Sequence, residues 1–460
     1  MTGSRMTRHW WMIGAAAALL ALPCASAMAA DGAAPKVDGG DTAWVLISAA
    51  LVMLMTPGLA FFYGGLVRRK NVLSVLMQCF MILCLVSIQW VLVGYSLAFG
   101  PDAGGHGLIG TLDWFGLAGV GLKPYAAYSP TVPHLAFMVF QMMFAVITPA
   151  LIIGAFAERV RFSAFCVFSV AWTTFIYDPV AHWVWSDGGF MGVLRPGGWG
   201  ALDFAGGTVV HINAGMAALA AALYLGKRQG FPGKMSPPHS LPLAVLGAAM
   251  LWFGWFGFNA GSALGAGGLA ASAFVATHVA TAGAALTWAA LDWIKHKRPT
   301  TLGMITGAVG GLVAITPAAG YVTPLGAVCI GIGAGLLPWL AVTFLKVRLG
   351  YDDTLDAFGV HGVGGIWGAI ATGLFATAAV NPFPWSDPAG TGNNGLFYGN
   401  PVQLLTQIKA VALTMAFSFS GSLLLFWLVD KTLKLRVTEH EERVGLDLTE
   451  HSEAGYTILD

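Results

Sequence analysis

Charged residues are scarce in this chain, with Asp, Glu, Lys and Arg together making up 10% of 460 residues. Soluble domains average about a quarter charged residues, so this scarcity excludes an ordinary water-soluble fold. Apolar residues take their place, at 57% of the sequence with a mean hydropathy of +0.72. We therefore predict a polytopic membrane protein. The formal net charge of +1 identifies no partner, and we expect none among nucleic acids.

Cysteine is also rare, with five residues in the chain. Cys24 lies in an N-terminal leader, and the other four lie inside apolar segments: Cys79, Cys84, Cys166 and Cys329. We expect these four to pack as small hydrophobic residues and not to form a disulfide framework. Glycine, in contrast, is abundant at 61 residues, which suits helices that pack backbone to backbone in a bilayer.

The N-terminal leader has the pattern of a secretory signal. Arg5 and Arg8 precede a short apolar stretch at residues 10–22, which ends at Pro23 and small residues. This order predicts a cleavable signal peptide over residues 1–30 and a mature N-terminus outside the cytoplasm. The alternative, an uncleaved first transmembrane helix, is weaker because the apolar stretch is short.

Long apolar runs fill the rest of the chain. A helix needs about 20 mainly apolar residues to cross a bilayer. By that measure the sequence has eleven candidate spans, at 42–67, 72–99, 133–157, 162–185, 203–225, 241–261, 268–291, 301–319, 322–345, 357–380 and 402–430. We assign residues 31–430 to one membrane domain and residues 431–460 to a cytoplasmic regulatory tail.

The basic residues predict the orientation of these spans. Beyond the leader, seventeen lysines and arginines follow odd-numbered spans, and four fall elsewhere: Lys36, Lys123, Arg195 and Lys409. Cytoplasmic loops carry the excess of basic residues in membrane proteins. The tail is therefore expected in the cytoplasm and the N-terminus outside, which an odd number of spans satisfies.

An inverted repeat accounts for the number of spans. Two units with an odd number of spans must have opposite orientations in the membrane. Residues 145–150 (AVITPA) in span three resemble residues 313–318 (VAITPA) in span eight, and two Asp-to-His segments occupy spans five and ten. We predict an all-α membrane protein of eleven transmembrane helices, arranged as a five-plus-five inverted repeat with one C-terminal helix.

Two histidines lie deep inside uncharged apolar runs, each just after an aspartate. His211 follows Asp203 in span five, and His361 follows Asp356 in span ten. Ionisable groups in such sequence usually face a bundle interior or a conduction path. An inverted repeat would bring spans five and ten together near the midplane, so we expect the two histidines to meet. A neutral pair could share a proton, with one ring donating and the other accepting.

Other interpretations of these residues remain open. The two histidines could lie apart, each hydrogen-bonded to backbone groups. A zinc site is disfavoured because no cysteine or third histidine lies at ligand spacing nearby, and we expect no metal and no cofactor. Each aspartate could cap the helix that follows it, and His278 in span seven is expected to be a core residue.

From Asp41 to the tail, the chain resembles the ammonium transporter (Amt/Mep/Rh) family in its bacterial members. The resemblance rests on PGLAFFYGGL at 57–66, FQMMF at 140–144, GAFAER at 154–159, DFAGGTVVHIN at 203–213, GWFGFNAGS at 254–262 and FGVHG at 358–362. It implies a homotrimer in the bacterial inner membrane, surrounded by membrane lipid. Each eleven-helix subunit would have its own narrow hydrophobic pore, lined by His211 and His361.

The resemblance also implies an ammonium recruitment site at the outer face, formed by Trp185, Phe140 and Ser262. Aromatic ring faces attract cations, and a serine hydroxyl can accept a hydrogen bond from ammonium. Without the resemblance, Trp185 would be interpreted as an interfacial tryptophan and Ser262 as a small packing residue. Asp203 is expected to support this site structurally more than by touching the ion.

Below that site, the resemblance places a gate of two stacked phenyl rings, Phe144 and Phe258, with Trp255 on the same wall. Hydrophobic constrictions exclude hydrated ions. The mechanism it implies is recruitment of ammonium, deprotonation near the phenylalanines, and inward passage of ammonia and the proton past the histidines. Net uptake would be electrogenic, and the chain would not be an enzyme.

For the tail, the resemblance implies regulation by a trimeric PII-type signalling protein, whereas its charge alone would indicate a solvated tail. Alternatives from other classes are an electroneutral ammonia gas channel, an ammonium sensor and an ion-coupled transporter of another family. Trp185 and Phe140 argue against the first, and the lack of a fused signalling domain argues against the second. The third needs deep carboxylates, and those of this chain lie near span ends.

Overall fold

The computed structural model describes residues 36–233, 237–382 and 392–456, and within these ranges the regular structure is helical. The predicted signal peptide lies outside the described residues. We label the helices α1 Gly39–Leu66, α2 Arg69–Phe99, α3 His134–Phe156, α4 Phe162–Trp185, α5 Gly207–Leu225, α6 Leu241–Gly261, α7 Gly268–His296, α8 Thr301–Ile315, α9 Pro324–Leu349, α10 Phe358–Phe375, α11 Pro401–Leu433, α12 Glu439–Val444 and α13 Leu446–His451.

The spans agree with those predicted from the apolar runs. Ten helices among the described residues are long and apolar enough to cross a membrane. Helix α8 is shorter, and a buried turn at residues 316–320 continues it. The prediction of an all-α multi-pass membrane protein is therefore confirmed.

One face of the bundle gathers the loops that follow odd-numbered helices. Arg68 after α1 pairs with Glu158 after α3 at 2.8 Å, and Arg228 after α5 pairs with Asp352 after α9 at 2.8 Å. The tail packs on the same loops, so we call this the tail face. The described N-terminus lies on the opposite face, where the Asp38 N–H donates to the loop between α2 and α3.

The described part of the tail packs on the bundle through several buried residues, while its other side chains are exposed. Helices α12 and α13 bury Glu442, Leu446 and Asp447 to 1% exposure each. The Leu446 N–H donates to Asn71 Oδ1 at 2.8 Å, and Asp447 Oδ1 accepts from the Ser74 N–H at 2.8 Å, in the first turn of α2 after its 3₁₀ start. The simple picture of a free polar tail is therefore wrong.

Helix α3 is the most enclosed of the spans, and α5 is the next. Both α5 and α10 begin with a wide π-helical turn, at Gly207–Ile212 and Phe358–Val363, and each turn contains one of the predicted pore histidines. His278 lies elsewhere. It is exposed on α7 beside Trp252, so the expectation of a core position was wrong.

Candidate functional site

His211 and His361 lie together at the centre of the bundle. Their ring centroids are 5.5 Å apart with 17° between the planes, and the residues are 1% and 3% exposed. Both ring nitrogens of His211 and Nδ1 of His361 are buried without a hydrogen-bond partner among the described residues. The rings therefore do not hydrogen-bond each other directly, and backbone groups do not satisfy them either.

Two glycines allow the histidine helices to cross this closely. Gly215 and Gly365 each follow a histidine by four residues, one turn along its helix. A Cβ on Gly215 would lie 2.3 Å from the Gly362 Cα, and a Cβ on Gly365 would lie 3.0 Å from the His211 Cβ. Any larger side chain would push the two helices, and hence the two rings, apart.

Asp203 fixes the start of α5. Its carboxylate accepts hydrogen bonds from the N–H groups of Gly206, Gly207 and Thr208 at 2.6–2.8 Å, and from the Thr208 hydroxyl. Its backbone carbonyl accepts from Trp185 Nε1 at 3.0 Å. The capping interpretation is therefore the one that the structure supports, and the same residue orients the indole ring at the C-terminal end of α4.

In the second half of the chain, Asp353 caps α10, and the capping interpretation of Asp356 was wrong. Asp353 accepts from the Ala357 and Phe358 N–H groups at 3.0 and 2.8 Å. Asp356 has a left-handed backbone, with φ of 61°, and pairs with Lys346 at 2.7 Å. A carboxylate displaced from the helix axis in this way is not placed to receive the first N–H groups.

Burial raises the pKa of the Asp353 carboxyl to about 7, although the Lys346 ammonium group opposes the shift. Asp353 lies between α9 and α10 and is 1% exposed. Loss of hydration disfavours a carboxylate more than its neutral acid, which accounts for the direction of the shift. The cap of the His361 helix therefore keeps its proton to a higher pH than an ordinary aspartate does.

Two cavities approach the histidines from opposite faces. The cavity on the face opposite the tail, which we call the outer cavity, has a volume of about 610 Å³ and is lined by Trp185, Ser262 and Phe144 among others. The cavity of about 300 Å³ that extends from Phe258 and both histidines toward the tail face is called the inner cavity. The Phe144 and Phe258 rings lie between the cavities, with centroids 4.2 Å apart and 31° between their planes.

Trp255 forms the wall beside the histidines. Its ring stacks on His211, with centroids 5.4 Å apart and 19° between planes. Its Nε1 donates to Thr316 Oγ1 at 2.9 Å, which fixes the indole plane. Thr316 belongs to the AVITPA-like string of span eight, and the sequence alone gave no role to its hydroxyl.

At the outer site, Trp185 and Ser262 line the cavity, whereas Phe140 does not. Ser262 Oγ donates its own hydrogen to the Phe258 carbonyl at 2.8 Å, so its lone pairs are left to accept. Phe140 is fully buried and contacts the edge of the Phe144 ring, with centroids 5.0 Å apart. The three predicted recruitment residues are therefore neighbours, with Phe140 behind the wall.

Two features of the site were not predicted from the sequence: the Asp353 cap and the glycine pair Gly215 and Gly365. The repeat could have revealed both. The histidines are 150 positions apart, and so are Asp203 and Asp353, and Gly215 and Gly365.

The described residues contain no group of three His, Cys, Asp or Glu side chains that could hold a metal ion. The rings that stack on His211 are aromatic or imidazole: Trp255, Phe258 and His361.

Comparison with known proteins agrees with this architecture. The family model described as the Ammonium Transporter Family matches residues 43–456. An ammonium transporter of Bacillus subtilis is 53% identical over 417 residues, covering 91% of this chain and 98% of the relative. Ammonium transporter Amt1 of Archaeoglobus fulgidus is 46% identical over 421 residues, covering 92% and 100%.

A solved structure leads to the same conclusion. The crystal structure of Saccharomyces cerevisiae Mep2 superposes with a TM-score of 0.80 at 37% sequence identity, and the match covers 88% of each chain. The family model spans nearly all described residues, and the relatives are transporters, not enzymes. The resemblance noted in the sequence is therefore confirmed, and this multi-pass membrane chain belongs to the ammonium transporter family.

Proposed function

We propose that this protein takes up ammonium electrogenically: it recruits the ion in the outer cavity, removes its proton near Phe144 and Phe258, and conducts ammonia and the proton inward past His211 and His361. One observation carries the proposal. Two buried imidazoles with unpartnered nitrogens lie just beyond a pair of contacting phenyl rings that separates two cavities.

Ammonium would bind first in the outer cavity. Ser262 Oγ has lone pairs to accept an N–H of ammonium because its hydrogen is given to the Phe258 carbonyl. The Trp185 ring adds cation–π attraction, and its indole is held by the Asp203 carbonyl. Phe140 contributes by supporting the Phe144 ring from behind. Asp203 acts as the structural support of the site.

Selectivity arises at the phenyl pair. Phe144 and Phe258 are each 1% exposed, so a cation that passes them must lose its hydration. A bare ion is costly in such surroundings, whereas neutral ammonia is not. Ammonium can release a proton and pass as ammonia, while potassium has no proton to release. Exclusion of potassium follows from this difference.

The histidines carry the next step. The unpartnered ring nitrogens can accept from and donate to ammonia or a relayed proton. Because the rings do not hydrogen-bond each other, a permeating molecule would bridge them. Trp255 keeps the His211 ring in its plane by stacking. The proton would follow this same polar path, which makes the net transport electrogenic.

The location and assembly are those of bacterial family members: a homotrimer in the inner membrane, after removal of the leader at residues 1–30. The tail face would be cytoplasmic, because it carries most of the basic residues. The N-terminal face would then lie outside, where the outer cavity opens toward incoming ammonium.

The tail would regulate the pore by serving, with the tail-face loops, as the docking surface of a trimeric PII-type signalling protein. Its position supports this role. Glu442 Oε1 accepts from the Gln229 N–H at 2.9 Å, and Gln229 adjoins Arg228, which lines the inner cavity and pairs with Asp352. A partner that moved the tail would therefore act on the loops around the inner mouth.

The experiment is an ammonium concentration jump on purified protein in sealed liposomes, with current recorded on a solid-supported membrane. Sodium and potassium replace ammonium in the controls. The proposal expects a current with ammonium and none with the other two ions. No current, with ammonia still equilibrating faster than in empty liposomes, would indicate an electroneutral gas channel instead. The absence of both would indicate a sensor.

A further inference from the structure

Negative charge dominates the outer cavity. The described residues that line it include two carboxylates, Asp41 and Asp203, and no lysine, arginine or histidine. The two carboxylates are not equivalent. Asp203 is 6% exposed and receives several N–H groups at the start of α5, where the positive end of the helix dipole offsets its charge.

Asp41 also lies in the first turn of a helix, α1, but it accepts fewer hydrogen bonds than Asp203 and is more exposed. Its Oδ2 accepts from the Thr131 hydroxyl at 2.6 Å, and its Oδ1 accepts from the Ala266 N–H at 2.8 Å. Both donors are neutral, and the residue is partly exposed in the first turn of α1. The Ala266 contact ties this carboxylate to the turn after α6, in which Ser262 is four residues away.

We infer that Asp41 is the residue whose charge concentrates ammonium in the outer cavity, as a specificity determinant in addition to the aromatic and serine site. This inference rests on the proposed function, because it needs ammonium to enter from that face. A cleft of one charge sign with low-dielectric walls raises the local concentration of counter-ions. Neutral ammonia gains nothing from this field, so Asp41 favours the ionised form of the substrate.

The effect of the Asp41 charge differs from the effect of its hydrogen bonds in how it depends on salt. The Debye length is about 30 Å at 0.01 M ionic strength and about 10 Å at 0.1 M. A contribution from the Asp41 charge should therefore fade as salt is added. A contribution from its hydrogen bonds to Thr131 and Ala266 should not.

The test compares Asp41→Asn with Asp38→Asn in the ammonium-jump assay at low and high sodium chloride. Asn is nearly the same shape as Asp: its Oδ1 can still accept from the Ala266 N–H, and its Nδ2 can donate to the Thr131 hydroxyl, which reverses that hydrogen bond. Asp38 is an exposed N-cap of the same helix and does not line the cavity. We expect Asp41→Asn to raise the KM for ammonium roughly three- to tenfold at low salt, with the maximal current retained and the difference shrinking at high salt. Asp38→Asn should raise the KM less than Asp41→Asn does, because its carboxylate is exposed to solvent outside the cavity.

Three results would overturn the inference: an unchanged KM in Asp41→Asn, an equal rise in KM at both salt concentrations, or an equal rise in Asp38→Asn. If Asp41→Asn does not assemble, Asp41→Glu decides the matter, because it keeps the charge and disturbs the hydrogen bonds. A near-wild-type KM in Asp41→Glu would then support the role of the charge. A KM of this variant that no longer depends on salt would contradict that role. A wild-type protein without ammonium current would refute the proposed function instead.

Discussion

Asp203 and Asp353 each stand eight residues before one of the two central histidines, His211 and His361, and each caps the helix that carries that histidine. The two carboxylates receive the first N–H groups of α5 and α10, so both helices begin inside the protein with satisfied backbone donors. Each half of the inverted repeat thus has the same local pattern: an aspartate cap, a π-helical turn that contains a histidine eight residues after the cap, and a glycine four residues after the histidine.

Gly215→Ala should disrupt the histidine pair. The new Cβ would lie 2.3 Å from the Gly362 Cα, and overpacking of this kind costs about 1–3 kcal/mol. We expect a lower thermal unfolding temperature in detergent and a large loss of ammonium current. The matched control is Gly283→Ala in α7, where the nearest atom to a new Cβ is 3.7 Å away. Equal behaviour of the two variants would contradict the close crossing.

Asp353 should make stability depend on pH near neutrality. Its folded pKa of about 7 lies above the value of about 3.9 for an unfolded aspartate, so the folded state holds the proton more tightly. The stabilisation from this proton is complete below about pH 4 and is lost as pH rises through about 7.

Asp353→Asn removes this titration. The melting temperature of the wild type, relative to that of the variant, should fall between pH 5 and pH 8. Thermal unfolding of both proteins at several pH values checks the sign. A difference that is constant with pH, or that grows as pH rises, would show that burial of Asp353 does not have the assigned effect.

Asp447→Ala should loosen the tail from α2. The variant removes the acceptor of the Ser74 N–H, and loss of a helix cap costs about 0.5–2 kcal/mol. We expect faster proteolysis of the tail and a modest fall in the melting temperature. Glu453→Ala, an exposed position six residues further along, serves as the control. Equal protease resistance in both variants would argue against the cap.

The spans and the meeting of the two histidines could be predicted from the sequence, because long apolar runs and their basic flanks are strong signals in membrane proteins. The position of His278 on its helix could not be predicted from the sequence. Both the core and the lipid-facing surface of a membrane protein are apolar, so neighbours in the sequence do not reveal which way a helix residue points. The structure places His278 on the surface beside Trp252.

Asp356, in the second half of the chain, shows a different limit of prediction from sequence. Asp356 stands at the start of predicted span ten, which suits a cap, but a cap must face the first N–H groups of its helix, and the carboxylate of Asp356 pairs with Lys346 instead. The common offset of 150 residues identifies Asp353. Phe140 shows the same limit. An aromatic side chain suits the predicted recruitment site, but its burial behind Phe144 depends on the rotation of α3, which the sequence does not reveal.

The central claim is that His211 and His361 carry substrate between the two cavities. Its most direct test is the ammonium and potassium current of His211→Ala and His361→Ala in liposomes, with His278→Ala as the control on the surface of α7. The account predicts that each pore variant loses the ammonium current or begins to conduct potassium, while His278→Ala behaves as the wild type. A His211→Ala protein that retains both the ammonium current and the exclusion of potassium would contradict it.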